Sequence, residues 1–156
     1  MSYLINERGL AAALLIAVAS IANAGAPLEV SDARVPEAPP VSTVLAGYMK
    51  IINRSSDAVK IVEVRSSQFK HVEIHLSETR DGIARMVKQD ALKIAAGKTV
   101  DLAPGGLHLM LIEPQQALRE GDVVVLTLVL DGGREVTVNA PVRREAAGHE
   151  HHHHNH

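Results

Sequence analysis

Short apolar runs separated by turn-forming residues are the feature that most restricts how this chain can fold. Each run has the length of a β-strand, and the segments between them are rich in Gly, Asp, Ser and Pro. Asp131-Gly132-Gly133, between two β-branched runs, is a strong hairpin signal. This spacing predicts an all-β sandwich or barrel. The runs are 44–53, 58–66, 71–76, 84–94, 99–103, 107–113, 122–130 and 134–142.

The residue pattern within the runs also favours strands. Apolar and polar residues alternate with period two over 60–64 and 135–139. The run 122–130 is apolar on both faces, which predicts a central strand. Aromatic residues make up only 2% of the chain, and it has neither Trp nor Cys. We therefore expect an aliphatic core that is stabilised by packing, without disulfides.

The remaining segments complete a predicted single domain. Residues 25–41 contain four prolines, and they predict an extended lead-in with an edge strand at 28–35. Residues 113–120 are the one short stretch that could be helical. We place the folded domain at 25–143 and a flexible histidine-rich tail at 144–156.

Residues 1–24 have the pattern of a secretory signal peptide. A polar region ends at Arg8, an apolar stretch follows over 9–24, and Ala22-Asn23-Ala24 has the small-x-small form of a cleavage site. The apolar stretch is shorter than the roughly 20 residues that cross a bilayer. We expect export, cleavage after Ala24 and no stable membrane insertion of the mature chain. An uncleaved membrane anchor is the alternative.

Charge and composition exclude several classes of function. The formal net charge is −2, and no cluster of basic residues could follow a phosphate backbone, so nucleic acid is not an expected partner. The sequence has no catalytic Cys, no Gly-rich phosphate loop and no recognisable set of nucleophile, base and acid. We therefore expect a protein that is not an enzyme.

Imidazole and thioether groups recur at strand positions. Residues i and i+2 of a strand share a face, so His108 and Met110 project together. His75 and Met86 lie in two other strand-like runs. Cu(I) is soft and accepts thioether and imidazole donors, whereas Zn(II) prefers Cys, His and carboxylate. Taken singly, a strand Met usually fills the core and a lone His is usually a surface or hydrogen-bonded residue, so chemistry alone leaves both interpretations open.

The spacing of these four residues resembles a family signature. Ten residues separate His75 from Met86, twenty-one separate Met86 from His108, and one separates His108 from Met110. The spacing is similar to that of the periplasmic copper chaperone family PCu(A)C, whose signature is His, ten residues, Met, twenty-one residues, His, any residue, Met. The segments AGYMKIIN, VEIH, DGIARM and PGGLHLMLI also look like blocks of that family, and the likeness covers residues 28–142.

The resemblance implies a cupredoxin-like Greek-key β-sandwich or barrel that binds Cu(I) near its surface. It also implies copper delivery in the bacterial periplasm toward the copper centre of cytochrome c oxidase, alongside Sco-type copper proteins. The implied Cu(I) ligands are His75, Met86, His108 and Met110.

Two polar residues near His75 lie outside the signature. His71 and Glu73 share its face in the run 71–76. They could orient a ligating imidazole or be solvated, and we favour the second interpretation.

Residues 148–156, GHEHHHHNH, form a second candidate metal site, rich in imidazole and lacking Met. Some members of the resembled family carry C-terminal extensions that bind Cu(II), and this donor set favours Cu(II) over a second Cu(I). Glu150 and Asn155 interrupt the run, unlike a purification tag, although an added tag is the alternative. The candidate ligands are His149, His151, His152, His153, His154 and His156.

Four functions are compatible with these features. A copper carrier is our leading hypothesis. The alternative is periplasmic copper buffering or resistance without a specific acceptor. A structural β-sandwich adhesion module with a tail that binds Zn(II) or Ni(II) is a third. A copper redox enzyme is the least expected, because the sequence lacks the Cys thiolate of blue-copper sites.

Overall fold

A computed structural model describes residues 27–145, and this part of the chain forms ten β-strands joined by turns. The prediction of an all-β fold is confirmed. The strands are β1 (Leu28–Pro36), β2 (Val44–Asn53), β3 (Val59–Arg65), β4 (Phe69–Arg80), β5 (Ile83–Gln89), β6 (Leu92–Ile94), β7 (Thr99–Leu102), β8 (Leu107–Pro114), β9 (Val123–Leu130) and β10 (Glu135–Arg143).

Hydrogen-bond pairing arranges the strands in the order β5-β4-β8-β2-β1-β10-β9-β3-β6, with β7 also paired to β2. We call β5, β4, β8, β2 and β7 the first layer, and β10, β9, β3 and β6 the second layer. β1 joins them, because its first part pairs antiparallel with β2 and its last two residues pair parallel with β10. Most neighbours are not consecutive in the chain, as in Greek-key folds.

A local irregularity in β1 allows it to serve both layers. Its register with β2 shifts between Ser31 and Arg34. Asp32, inside the shift, has a φ of 53°, in the left-handed region. A bulge of this kind bends a strand and increases its twist. β1 therefore leaves β2 and reaches β10 within a few residues.

Aliphatic side chains from both layers fill the space between them, as the scarcity of aromatic residues led us to expect. Along β8, Leu109 and Leu111 point inward and are 1% and 0% exposed. Burying one such side chain stabilises the fold by about 1.5–3 kcal/mol. The largest fully buried residues are Met49, Ile51, Ile61, Ile94, Leu109, Leu111, Leu126, Leu128, Val35, Val124, Val142 and Asn53.

Two sequence predictions about strand position were wrong. The predicted edge strand at 28–35 lies between β2 and β10 rather than at an edge. The run 84–94 is two strands, because the chain leaves β5 after Gln89 and re-enters with Leu92 in the second layer, where β6 pairs with β3. Strand-length apolar runs do not reveal such a change of layer, since both parts have the same composition.

The short segment 113–120 is not helical. Its backbone donors are used elsewhere: the N–H of Glu113 donates to the Thr43 carbonyl, and the N–H of Gln115 donates to the Gln68 carbonyl. Pro114 has no N–H to contribute to a helix. These long-range bonds hold the segment as the end of β8 and a loop.

β9 is central, as predicted, but only one of its faces is buried. Val124 and Leu126 are fully buried, whereas Val123 and Val125 are 46% and 44% exposed. The outer side of the second layer faces solvent. A strand with neighbours on both edges can therefore still have one exposed face.

The predicted signal peptide at 1–24 lies outside the described residues, as does the tail from residue 146 onward. Residues 27–145 contain no helix with the length and apolarity needed to cross a lipid bilayer.

Candidate metal centre

Three of the four predicted ligands lie on two adjacent strands of the first layer. His75 on β4 is directly opposite His108 on β8. Met110 is two residues beyond His108 and opposite Glu73. Residues opposite each other in an antiparallel pair share a face, as do residues two apart along a strand. The two imidazoles and this thioether therefore lie on one face, with the centroids of the His75 and His108 rings 6.1 Å apart.

Met86 joins the same face from β5, the outermost strand of the first layer. It lies opposite Ser77, which is two residues from His75 along β4. Met86 and Met110 are thus both diagonal neighbours of His75. Diagonal neighbours are about 7–8 Å apart between Cα atoms, a separation that long side chains bridge. The register places all four predicted residues on one face of three strands, with Met86 and Met110 displaced to opposite sides of His75.

Exposure rises from the inner to the outer strand of this group. His108 is only 5% exposed, whereas Met86 is 64% exposed. The His75 side chain is intermediate, with 13% exposed. The expected location near the surface therefore describes Met86, on the outermost strand β5, better than His108 on β8.

The two ring nitrogens of His75 have different surroundings. Nε2 lies 2.8 Å from Oε2 of Glu73. A carboxylate only accepts hydrogen bonds, so Nε2 carries the proton and donates it to Glu73. Nδ1 is buried and has no hydrogen-bond partner among residues 27–145. In the neutral ring this atom keeps an unshared lone pair, which is what a metal ligand requires.

The His108 ring is held at its other nitrogen. Its Nδ1 lies 3.0 Å from the carbonyl oxygen of Gly106. A carbonyl accepts and does not donate, so Nδ1 is the protonated atom and Nε2 keeps the lone pair. Gly106 belongs to the Pro104–Gly106 turn, where Gly105 adopts a φ of 80° that only glycine takes without strain. The turn residues seen in the sequence thus position this imidazole.

A lysine completes the hydrogen-bond network around His75. Lys88 on β5 lies opposite His75, and its Nζ is 2.6 Å from Oε1 of Glu73. The Lys88 ammonium, followed by the His75 ring, holds the pKa of Glu73 below its usual range. Glu73 is therefore an ionised acceptor shared by both side chains at neutral pH.

These contacts correct our interpretation of Glu73 as merely solvated. It accepts the ring proton of His75, and its side chain is only 26% exposed. His71 is opposite Ile112 and exposed, in agreement with the solvated interpretation.

Lys88 was missed by sequence reasoning, although the sequence contains a signal for it. Asp81 and Gly82, with φ of 53° and 75°, form the two-residue turn between β4 and β5. Such a turn fixes the register of the hairpin, and this register sets Lys88 opposite His75.

The donor set fits a soft metal ion. Within the described range, residues 27–145, no three His, Cys, Asp or Glu side chains are grouped so as to hold a metal. A metal site at His75 and His108 would therefore draw on other donors, and Met is the type that shares their face. The six predicted tail ligands, from His149 to His156, lie outside the described residues.

Sequence comparison assigns the chain to a family. The family model described as “Putative lipoprotein LpqE-like” matches residues 28–142. The chain belongs to the LpqE-like family. This span coincides with the one over which the copper chaperone signature and its flanking blocks were recognised.

Solved structures similar to this LpqE-like chain include PCuAC domains. The apo and Cu(I) solution structures of DR1885 from Deinococcus radiodurans are 27% and 30% identical, each with a TM-score of 0.60. The alignments cover 93% and 74% of this chain, and 97% and 78% of DR1885. The copper-bound PCuAC domain from PmoF2 is 22% identical, covers 77% of this chain and 95% of that one, and has a TM-score of 0.65. The fold is therefore that of PCuAC domains, and the predicted cupredoxin-like architecture is confirmed.

Curated relatives of the LpqE-like chain are longer than the region they share with it. The uncharacterized protein RP573 of Rickettsia prowazekii is 31% identical over 101 residues, which are 64% of this chain and 56% of that protein. The lipoarabinomannan carrier protein LprG of Mycolicibacterium hassiacum is 32% identical over 95 residues, 61% of this chain and 40% of LprG. The chain thus spans about half the length of the curated relatives it matches.

Proposed function

We propose that this protein is a periplasmic copper chaperone that binds one Cu(I) and delivers it toward the copper centre of cytochrome c oxidase. Sco-type copper proteins are the proposed partners in that pathway, and the protein acts as a carrier rather than as an enzyme. The observation that carries the proposal is the shared face of four side chains on β4, β5 and β8. The proposed ligands are His75, Met86, His108 and Met110.

The chemistry of the donors supports Cu(I) as the cargo. Imidazole and thioether are donors that Cu(I) accepts, while Zn(II) is usually bound by Cys, His and carboxylate. A thioether has no proton to lose, so this site avoids the pH dependence of thiolate binding. It is also not subject to disulfide formation outside the cytoplasm. The similarity to the Cu(I) structure of DR1885, at 30% identity, supports the same metal.

The gradient of exposure supports release rather than permanent storage. His108, 5% exposed, is held by a backbone carbonyl on a central strand, whereas Met86, 64% exposed, lies on the outermost strand. An incoming acceptor ligand reaches the metal from the Met86 side. Exchange would replace Met86 first and the buried imidazole last.

The histidine tail is proposed as a Cu(II) site close to the Cu(I) site. Arg34 lies over the Tyr48 ring, 5.1 Å from its centroid, and pairs at 3.3 Å with Glu145, the last described residue. Tyr48 is two residues from Ala46, which lies opposite Met110 on the neighbouring strand. The described chain thus ends over the face that carries the proposed ligands, and the eleven residues that follow Glu145 could span up to about 35 Å when extended. Copper bound by these imidazoles would raise the local copper concentration near the folded site.

Export to the periplasm is supported by two independent features. Residues 1–24 have the signal-peptide pattern, with proposed cleavage after Ala24. The family description and the name of a relative from Leifsonia xyli both contain the word lipoprotein, a class of exported proteins.

Deleting the gene in its host bacterium distinguishes copper delivery to the oxidase from copper buffering in the periplasm. Under copper limitation we expect less copper in the oxidase and lower oxidase activity, because the carrier is lost. Wild-type protein and the Met49→Leu control should restore both, since Met49 lies in the core, 2% exposed, and Leu conserves its volume. The double variant Met86→Leu, Met110→Leu should not.

Copper sensitivity with a fully active oxidase would instead indicate periplasmic buffering without a specific acceptor. That result would contradict delivery and leave metal binding intact.

A further inference from the structure

We propose that Glu73 is a positioning residue that selects Nδ1 of His75 as its copper donor. The two imidazoles then bind through different ring atoms, Nδ1 of His75 and Nε2 of His108. The inference rests on the proposed function, and it adds a ligand atom and a supporting carboxylate that the spacing signature does not specify.

Nε2 of His75 is already committed to another partner. It donates to Oε2 of Glu73 at 2.8 Å, between side chains that are 13% and 26% exposed. Copper at Nε2 would have to displace that proton and leave the carboxylate oxygen without its partner. Partly buried, charge-assisted hydrogen bonds of this kind are costly to break.

Nδ1 of His75 is the ring nitrogen that remains for the metal. It is a buried ring nitrogen that meets no hydrogen-bond partner within the described part of the chain. Buried polar atoms are almost always paired, so an unpaired one calls for a ligand or a special role. A soft cation shared with His108, whose ring centroid is 6.1 Å away, would satisfy it.

Lys88 extends the network to the outer strand. Its ammonium binds Oε1 of Glu73 at 2.6 Å, and it is two residues from Met86 on the same face of β5. The Lys88–Glu73 ion pair therefore links the strand that carries the exposed thioether to the strand that carries His75. Carboxylates that accept the second N–H of a ligating imidazole fix its tautomer and raise its basicity.

His108 binds the metal through Nε2 instead, because its hydrogen-bond partner contacts Nδ1. The Gly106 carbonyl accepts from Nδ1 at 3.0 Å, which leaves Nε2 for the metal. The two rings thus act as non-equivalent ligands, each oriented by an acceptor within its own strand or turn.

Nitrogen-resolved NMR of the histidine rings in the protein with and without Cu(I) tests this directly, since Cu(I) is diamagnetic. In the apo protein we expect His75 to be the Nε2–H tautomer. Cu(I) binding should change the nitrogen chemical shifts of Nδ1 of His75 and Nε2 of His108. A shift at Nε2 of His75 would overturn the inference while leaving the chaperone proposal intact. Absence of Cu(I) binding to the wild-type protein would overturn both.

Variants at Glu73 separate positioning from folding. Glu73→Ala should give mixed His75 tautomers and roughly 10–100-fold weaker Cu(I) binding. Glu73→Gln keeps a side-chain acceptor, so it should restore the single tautomer and most of the affinity. Glu78→Ala is the matched control, because Glu78 lies on β4, is also ion-paired and has the same 26% exposure, but lies on the other face. A single unchanged tautomer in Glu73→Ala would refute the positioning role, and the apo wild-type spectrum tests it even if that variant fails to fold.

Discussion

Gly47 shows how one residue sets the spacing around the proposed site. It lies on β2 opposite Leu109, which separates His108 from Met110 on β8. A Cβ at Gly47 would lie 3.3 Å from Cβ of Leu109, closer than ordinary van der Waals contact. Gly47 is not in the left-handed region, so its role is the close approach of β2 to β8 rather than backbone freedom.

Gly47→Ala should destabilise the fold by about 1 kcal/mol, because overpacking costs about 1–3 kcal/mol and the stiffer unfolded chain returns about 0.4–1 kcal/mol. Cu(I) affinity should also fall, since β8 must shift. Urea unfolding and competition with a Cu(I) chelator measure the two effects. Gly106→Ala is the control for stability, because a Cβ there would meet, among the described residues, only the Ala103 carbonyl oxygen at 3.8 Å. Equal stability of the two variants would show that the approach at Gly47 is not tight.

At the scale of strands, the sequence predicted the elements well and their neighbours poorly. The run 44–53 coincides with β2, and the run 107–113 is one residue short of β8. The edge position of β1 and the single run at 84–94 were wrong, because pairing partners depend on contacts far along the chain. Turn-forming residues next to β2 mark its ends in the sequence. The position of β1 in the sheet depends instead on a bulge at Asp32, which no residue pattern predicted.

The sequence likewise predicts some features of the candidate site and not others. The four proposed ligands follow from spacing and resemblance, and the period of two places His108 with Met110. The hairpin turn at Asp81 and Gly82 would also have given the register of Met86. The contact between Glu73 and His75, and the burial of His108, depend on side-chain packing across strands, which composition and periodicity do not encode.

In the molecule as a whole, the hydrophobic core and the proposed copper ligands use opposite faces of the first layer. The core lies between the layers, while the proposed ligands occupy the other face of β4, β5 and β8. Arg34 on β1 pairs with Glu145, the last described residue, and β1 is about two strand spacings or 10 Å from β8. The last described residue therefore lies near the face that carries the proposed ligands.

Removing residues 146–156 should abolish Cu(II) binding and leave one equivalent of Cu(I) bound, because the tail supplies imidazoles and the folded face supplies thioethers. Titration of each oxidation state, with Cu(II) followed by electron paramagnetic resonance, measures the effect. A full-length variant with Asn in place of the six tail histidines controls for chain length and should behave alike. Loss of both metals would show that the two regions form a single site.

X-ray absorption at the copper edge, on protein carrying one equivalent of Cu(I), tests the central claim most directly. We predict sulfur and nitrogen neighbours in the wild-type protein and in Met49→Leu, and loss of the sulfur neighbours in the double variant Met86→Leu, Met110→Leu. A wild-type spectrum without sulfur, or an unchanged sulfur signal in the double variant, would contradict the account.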